Sequence, residues 1–262
     1  MKILIILGHG GMLGNAVHKY FNLGHEIEVV EKWRWNSKEF QKQVLDSDAE
    51  FIINCIGAIP QKKYKKYQYE LLNVILPIFL ESTGKKILHP STDCEFSGKL
   101  EYPLKYKKDA IRDAEDDYGM SKAKVSEIIE NEFQNTKIIR TSIIGHEITG
   151  HFSLLDWFLS VDEGQSVNGF VNHYWNGITT LQWAKVAENI ISDWDSYGTI
   201  VQVGIDGLNK FELLEVIKEV YNKKTQVKQF NTPVSMNKML ESDFVMPTIK
   251  EQLIELKEFY LK

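Results

Sequence analysis

Residues 2–7, Lys-Ile-Leu-Ile-Ile-Leu, form a short apolar run that ends in glycines. Such a run reads as a parallel strand covered on both faces, since alternation vanishes when neither face meets water. A helix follows to about residue 21. Residues 26–31, 51–56, 86–89 and 137–140 read as further strands. Residues 37–45, 67–81 and 118 to about 132 read as helices between them. This alternation predicts a parallel sheet with right-handed crossovers. After about residue 145 the regularity weakens. Residues 152–159, 180–193, 210–221 and 249–261 still read as helices and 200–203 as a strand, while 165–176 look irregular. No repeat or low-complexity linker divides the two parts, so a lobe packed closely on the sheet is expected rather than a tethered second domain.

Composition narrows the function classes. A chain of 262 residues can build one core, or a large domain with a smaller appendage. A net charge of -5 gives no reason to expect nucleic acid or an anionic membrane as partner. The Lys62–Tyr67 stretch, basic and aromatic, reads in this acidic chain as a solvated loop and helix start. The two cysteines, Cys55 and Cys94, suggest a reducing, cytoplasmic setting rather than a disulfide framework. The opening apolar run is too short for a signal peptide or a membrane span. No Cys/His cluster has metal-site spacing, so no metal is expected.

The chemistry begins in the loop after the first strand. Gly8, Gly11 and Gly14 have G-x-x-G-x-x-G spacing, with Met12 and Leu13 between the last two. Glycines here permit a tight turn, close approach to a pyrophosphate and close helix–strand packing. The following helix N-terminus offers N–H donors and partial positive charge. The bland reading is an ordinary Gly-rich turn; the strand–loop–helix context favours dinucleotide binding and a doubly wound Rossmann sheet. Glu31, ending the second strand, has the place of a group that binds the ribose diol of NAD. Lys32 and Arg34 could instead hold a 2′-phosphate, so NADP(H) is favoured over NAD(H). His9 could touch a phosphate or simply be solvated.

Tyr118-Gly119-Met120-Ser121-Lys122 supplies a reactive pair. Helical i, i+4 spacing puts Tyr118 and Lys122 on one face. There an ammonium can favour the phenolate and make Tyr118 a proton shuttle near neutral pH. Thr92 follows the fourth strand, where ligands of open parallel sheets sit, and can bond a substrate carbonyl. Alone, the stretch around it would read as a Ser/Thr turn capping the strand; Tyr118 and Lys122 favour the catalytic reading.

Taken together, these motifs resemble the extended short-chain dehydrogenases/reductases, and most closely the dTDP-4-dehydrorhamnose reductase-like branch acting on nucleotide sugars. The resemblance rests on Gly8/Gly11/Gly14, Asn54-Cys55-Ile56-Gly57-Ala58 and Leu72-Asn73-Val74. It continues through Ser91-Thr92-Asp93 with Phe96 and Gly98, Tyr118 with Ser121 and Lys122, Arg140-Thr141-Ser142, and Trp175-Asn176-Gly177-Ile178-Thr179-Thr180. It implies an α/β fold, with a Rossmann domain over residues 1–145. A small substrate-binding lobe would cover 146–262, some of its segments returning to the first domain. Thr92, Tyr118 and Lys122 would be catalytic: Tyr118 protonating a C4 carbonyl as hydride arrives, Lys122 binding the nicotinamide ribose, Thr92 orienting the carbonyl. Asn54, Gly57, Ala58 and Asn73 would line or support the cofactor cleft. Asp93, Arg140, Thr141, Ser142, Trp175 and Asn176 would face the sugar nucleotide. For Arg140 the alternative is a strand-end salt bridge, and for Trp175 plain core. The implied activity is reduction of a nucleotide-diphospho-4-keto-6-deoxy sugar for surface polysaccharide synthesis; separately, helices flanking such a sheet often pair, which makes a homodimer one option. A catalytically silent nucleotide-binding regulatory subunit is the rival from another class; the intact Thr92, Tyr118 and Lys122 argue against it.

One departure from the branch stands at Cys94, where Tyr is usual. Epimerase-reductases resembling this chain hold Cys at that place and pair it with a His before a helix. His151 lies in a comparable position, and His146 competes with it. A Cys94/His151 pair could move protons beside a ketone; otherwise Cys94 is a small buried residue and His151 a polar group at a helix start. Glu95, one residue further on, is expected to turn to the opposite side.

Overall fold

The computed structural model describes residues 2–30 and 34–261. Glu31 and Lys32, and the ribose or phosphate contacts expected of them, fall outside the described residues.

The first part of the chain runs β1 (Lys2–Leu7), α1 (Met12–Phe21), β2 (Glu26–Val29), α2 (Lys38–Asp46), β3 (Phe51–Asn54), α3 (Lys66–Glu70), α4 (Leu76–Glu81), β4 (Lys86–Ser91), α5 (Asp117–Glu132) and β5 (Thr136–Arg140). The second runs β6 (Ile143–Ile144), α6 (Leu154–Ser160), β7 (Ser166–Phe170), β8 (His173–Trp175), β9 (Ile178–Thr179), α7 (Thr180–Ser192) and β10 (Ile200–Gln202). It closes with β11 (Leu208–Asn209), α8 (Lys210–Tyr221), β12 (Gln226–Phe230), β13 (Met236–Asn237) and α9 (Ile249–Leu261).

The central sheet orders its six strands β10-β5-β4-β3-β1-β2, every neighbour parallel. The chain leaves β1 one way to reach β2 and the other way to reach β3. A topological switch point therefore lies between β1 and β3, and ligands of open α/β sheets bind beyond the carboxyl ends of strands at such a point. The continuous apolar runs are explained by two cores. Ile6, Ile53, Leu88 and Ile139 face one side, with Val17 and Phe21 of α1, Trp183 and Ile190 of α7, and Leu253 of α9. Ile5, Leu7, Ile52 and Ile87 face the other, closed by Phe40 and Val44 of α2 and Leu76 and Leu80 of α4. Each such side chain contributes about 1.5–3 kcal/mol by leaving water.

β10 comes from the last third of the chain yet completes the sheet beside β5, and α7 packs on α1. The rest of the second part builds a smaller layer: a β11-β8-β13 sheet and a β12-β7 ladder, with α6 and α8. Residues 165–176, read as irregular, hold β7 and β8. β7 lacks clean alternation, and its partner β12 arrives some sixty residues later, so neither local signal was present. The single helix expected over residues 67–81 is interrupted by a π turn at Leu71–Ile75. Pro77 explains it: proline cannot donate to the carbonyl four residues back, and a widened turn lets the helix continue past it.

Candidate active site

The turn after β1 is built by its glycines. Gly8 adopts φ of 79°, in the left-handed region, and a Cβ there would lie 2.9 Å from the Cys55 carbonyl atoms. Gly11 N–H donates to Gly8 O at 2.9 Å, and a Cβ at Gly14 would overlap Gly8's carbonyl. Gly11 caps α1 without a side-chain acceptor, so the first N–H groups of the helix remain available to an anion. Leu13 packs into the core, while Met12 is half-buried at the helix start. His9 Nδ1 is buried without a hydrogen-bond partner; as an N–H it would be a donor for a phosphate oxygen. The loop thus fits a dinucleotide pyrophosphate. Arg34 lies exposed between β2 and α2.

The neighbouring loop after β3 is held from two sides. Asn54 Oδ1 accepts from Ile56 N–H at 3.1 Å, and Asn54 Nδ2 lies 3.1 Å from His89 Nδ1. Asn73, in the π turn and fully buried, accepts from Ala58 N–H at 2.8 Å and donates to Ala58 O at 3.2 Å and to Ser121 Oγ at 2.9 Å. Ser121 in turn donates to the Tyr118 carbonyl at 2.7 Å. One asparagine therefore ties Gly57–Ala58 to the turn of α5 that carries Tyr118 and Lys122.

Asp116 caps α5 by accepting from Gly119 N–H at 2.8 Å. The helix comes so close to the turn after β4 that a Cβ at Gly119 would overlap the Cys94 carbonyl oxygen. This contact seats Tyr118 beside Thr92 and Cys94. Thr92 Oγ1 donates to Asp93 Oδ1 at 3.0 Å and accepts from Cys94 N–H at 3.1 Å. Burial pushes the Tyr118 hydroxyl well above its ordinary range, with Cys94 and Asp93 adding to it against a hydrogen bond to Thr92. Lys122 was expected to draw Tyr118 towards phenolate; it is not among the groups acting on the hydroxyl, and burial keeps the proton on Tyr118. Lys122 is 5% exposed. Its Nζ donates to Pro90 O at 3.0 Å and lies 3.5 Å from His89 Nε2. Burial lowers it to about 8, with Glu95 pulling the other way.

The expected sugar-facing residues divide. Glu95 is fully buried on the far side of its turn, 2.8 Å from Arg112 Nε and 2.9 Å from Arg140 Nη2. It also accepts from Ser91 and Ser126. Arg140, expected to face the sugar nucleotide, is instead enclosed. It is 0% exposed, donates to Lys108 O at 3.1 Å and Gln202 Oε1 at 3.0 Å, and sits over the Phe96 ring. The interior carboxylate, not a ligand, takes its charge: it is the strand-end salt bridge. Asn176 is likewise spent, donating to Ile205 O at 3.1 Å and Leu240 O at 2.7 Å and accepting from Leu240 N–H at 3.0 Å. Thr141 Oγ1 donates to Ser142 O at 3.1 Å. Trp175 is 3% exposed, and its Nε1–H donates to Ser142 Oγ at 2.8 Å.

His151 is not brought to Cys94. It is exposed before α6, and its charge acts on Asp156. His146 bonds Asp156 at 2.9 Å and Tyr221 at 2.8 Å, away from the thiol. The charged groups acting on Cys94 are Asp93, Lys238 and Asp116; burial first, then Asp93, pushes the thiol up to about 12. The structure adds Lys210, which the sequence reading missed. It opens α8 with its Nζ 5.2 Å from the Trp175 ring. Desolvation lowers it to about 8, while Asp93 and Cys94 draw it up. A signal existed: a lysine in the first turn of a helix opposes the helix dipole and calls for a compensating role. His89, between Asn54 and Lys122, was the other omission, visible as a histidine inside an apolar strand.

Among the described residues, no helix is long and apolar enough to cross a membrane, and no group of three or more His, Cys, Asp or Glu could hold a metal ion.

Comparison with solved structures shows the same fold in known reductases and dehydratases. A dTDP-4-dehydrorhamnose reductase of Clostridium acetobutylicum superposes with a TM-score of 0.82 at 19% identity, covering 100% of both chains. The Bacillus anthracis dTDP-4-dehydrorhamnose reductase, solved in complex with NADP, gives 0.84 at 18%, covering 100% of this chain and 99% of that one. A Bacillus anthracis dTDP-glucose 4,6-dehydratase in complex with NAD gives 0.76 at 13%, covering 100% and 97%. No curated protein sequence matches. The family model described as the RmlD substrate binding domain matches residues 1–232. Because that match runs from the glycine loop through both cores and into the smaller layer, the chain belongs to the RmlD substrate binding domain family.

Proposed function

We propose that this chain is an NADP(H)-dependent reductase of the C4 ketone of a nucleotide-diphospho-4-keto-6-deoxy sugar. One observation carries the reading: Tyr118, holding its proton, stands beside Thr92 with Lys122 on the same helix, next to a glycine loop with an orphaned His9 nitrogen. A bound nicotinamide supplies the hydride. Tyr118 donates its proton to the carbonyl oxygen as negative charge develops there. Lys122, an ammonium below about pH 8, stabilises the phenolate left behind and holds the nicotinamide ribose. Thr92 turns its hydroxyl from Asp93 to the carbonyl. Lys210, over the buried Trp175 ring, stands on the sugar-nucleotide side. Arg34 is the described residue that would favour a 2′-phosphate.

The test is NADPH and NADH oxidation by the purified protein with dTDP-, UDP-, GDP- and CDP-linked 4-keto-6-deoxy sugars. Turnover with one of them supports the reading and identifies the nucleotide. Cofactor binding without turnover on any of them overturns it in favour of a silent binding subunit.

A second reading, reduction preceded by epimerisation beside the ketone, gains support from Lys210. Cys94 and Asp93 both act electrostatically on this amine, which could accept the carbon-bound proton that His151 is not positioned to take, while the protonated thiol of Cys94 returns one. Solvent deuterium at the neighbouring carbons, lost in Cys94→Ser, supports it; a product free of deuterium rules it out.

A further inference from the structure

The innermost polar contact of the site, behind Lys122, has a hydrogen-bond pattern with one consistent solution. Asn54 Oδ1 is committed to Ile56 N–H at 3.1 Å, so Asn54 turns its Nδ2 towards His89 Nδ1 at 3.1 Å. An amide nitrogen only donates, so His89 Nδ1 must accept. His89 is 0% exposed, and burial together with the neighbouring Lys122 holds it far below its usual range, hence neutral. A neutral imidazole has one N–H, which this pattern assigns to Nε2. Nε2 lies 3.5 Å from Lys122 Nζ.

We infer that His89 is a positioning residue for Lys122: held as the Nε2–H tautomer by Asn54, it presents a donor to the lysine and favours its uncharged amine. An ammonium there sets donor against donor. An amine accepts from Nε2–H while still donating to Pro90 O at 3.0 Å. The other groups around Nζ leave this balance to His89. Gly57 contributes only backbone, Tyr118 lies on the same helix and holds its proton, and Glu95 acts in the opposite sense. The consequence is a lysine that gives up its proton readily. After Tyr118 protonates a carbonyl, Lys122 can return a proton to the phenolate, and the amine so formed is the state that Nε2–H stabilises. This last consequence rests on the proposed reductase reaction; the tautomer and its effect on Lys122 do not.

The test is imidazole nitrogen NMR of the full chain labelled with 15N-histidine, from pH 6 to 10. His89 should show an unprotonated Nδ1 and a protonated Nε2 throughout. A step near pH 8, from titration of Lys122, should vanish in Lys122→Met. Asn54→Leu should release the tautomer and move that step up by about one pH unit, a tenfold change in proton affinity. A wild-type ring protonated on Nδ1, or an unmoved step in folded Asn54→Leu, overturns the inference. Where Asn54→Leu fails to fold, the wild-type tautomer alone decides. Given a turned-over substrate, His89→Leu should move the basic limb of the kcat profile upwards. A lower kcat with the limb unmoved marks a merely structural histidine and overturns the tuning role. Absence of any substrate leaves the NMR outcome standing, so the two readings fail separately.

Discussion

Glu95→Gln should be among the most damaging conservative substitutions in the protein. It preserves shape and removes one charge. The carboxylate is 0% exposed and faces Arg140, also 0% exposed, and Arg112, which is 17% exposed. Arg112 keeps Glu130 as a partner and can reach water. Arg140 cannot, and keeps only neutral acceptors: the Lys108 carbonyl, Gln202 and the amide oxygen of the new glutamine. Breaking one side of a buried pair costs about 3–5 kcal/mol. With Arg112 relieved in part, the lower half applies, about 3–4 kcal/mol. For a chain of this size that is a fall in Tm of roughly 6–16 °C. Urea unfolding followed by circular dichroism measures it, with Glu130→Gln as a control expected to lose under about 1 kcal/mol. The double variant Glu95→Gln/Arg140→Met should recover part of the loss, because the stranded charge is gone. A loss below about 1 kcal/mol, or strict additivity in the double variant, would refute the reasoning.

Other consequences are equally direct. Gly119→Ala forces α5 away from the Cys94 carbonyl and misplaces Tyr118, so kcat should drop about a hundredfold while fluorescence titration shows NADPH still binding; a near-normal kcat contradicts the close-approach argument. Cys94, with its thiol at about 12, should react with iodoacetamide at pH 8 about a thousandfold more slowly than a free cysteine, as mass spectrometry would read. Lys122 sits at about 8 in the folded protein against 10.5 ordinarily, so the unfolded chain binds more protons between these values. Unfolding free energy should therefore rise with pH from about 8 to 10.5, by about 3 kcal/mol from this group, and Lys122→Met should lack that share of the rise in denaturant titrations. Lys210→Met should raise the sugar-nucleotide KM at least about tenfold, as losing one charged contact implies, and leave the NADPH KM alone; equal effects on both would remove Lys210 from the sugar side.

Much of the site was legible because it is local. The glycine loop is three residues at fixed spacing after a strand, and its close contacts at Gly8 and Gly14 follow from backbone geometry that any such turn must satisfy. Tyr118 and Lys122 lie one helical turn apart, a relation set by the 3.6-residue period. Glu95 was expected to turn away from Cys94 by strand-like alternation, whereas Asp93–Glu95 is a 3-10 turn, and its buried ion pairs with Arg112 and Arg140 hold it on the far side. Arg140 and Asn176 show the opposite case. Their motifs place them on the sugar side, yet Arg140 is paired with Glu95 and bonded to Gln202, and Asn176 is bonded to Ile205 and Leu240, all brought in by tertiary packing. Lys210 reaches the site only because β11 pairs with β8 and turns α8 towards Trp175.

By itself, then, the amino-acid sequence determined the alternation of strand and helix, the two-sided burial of β1, β3 and β4, the glycine turn and the Tyr118/Lys122 face. Each of these depends on neighbours within a few residues, where chain geometry leaves few choices. The tertiary structure alone decided which polar side chains remain open to a ligand: Arg140 and Asn176 closed off, Lys210 drawn over the buried Trp175 ring, His151 left outside, and Asn54 aligned on His89 behind Lys122. A side chain's type states what bonds it can make; which partner takes them depends on segments far apart in the chain meeting in a low-dielectric interior, where an unpaired group is too costly to leave.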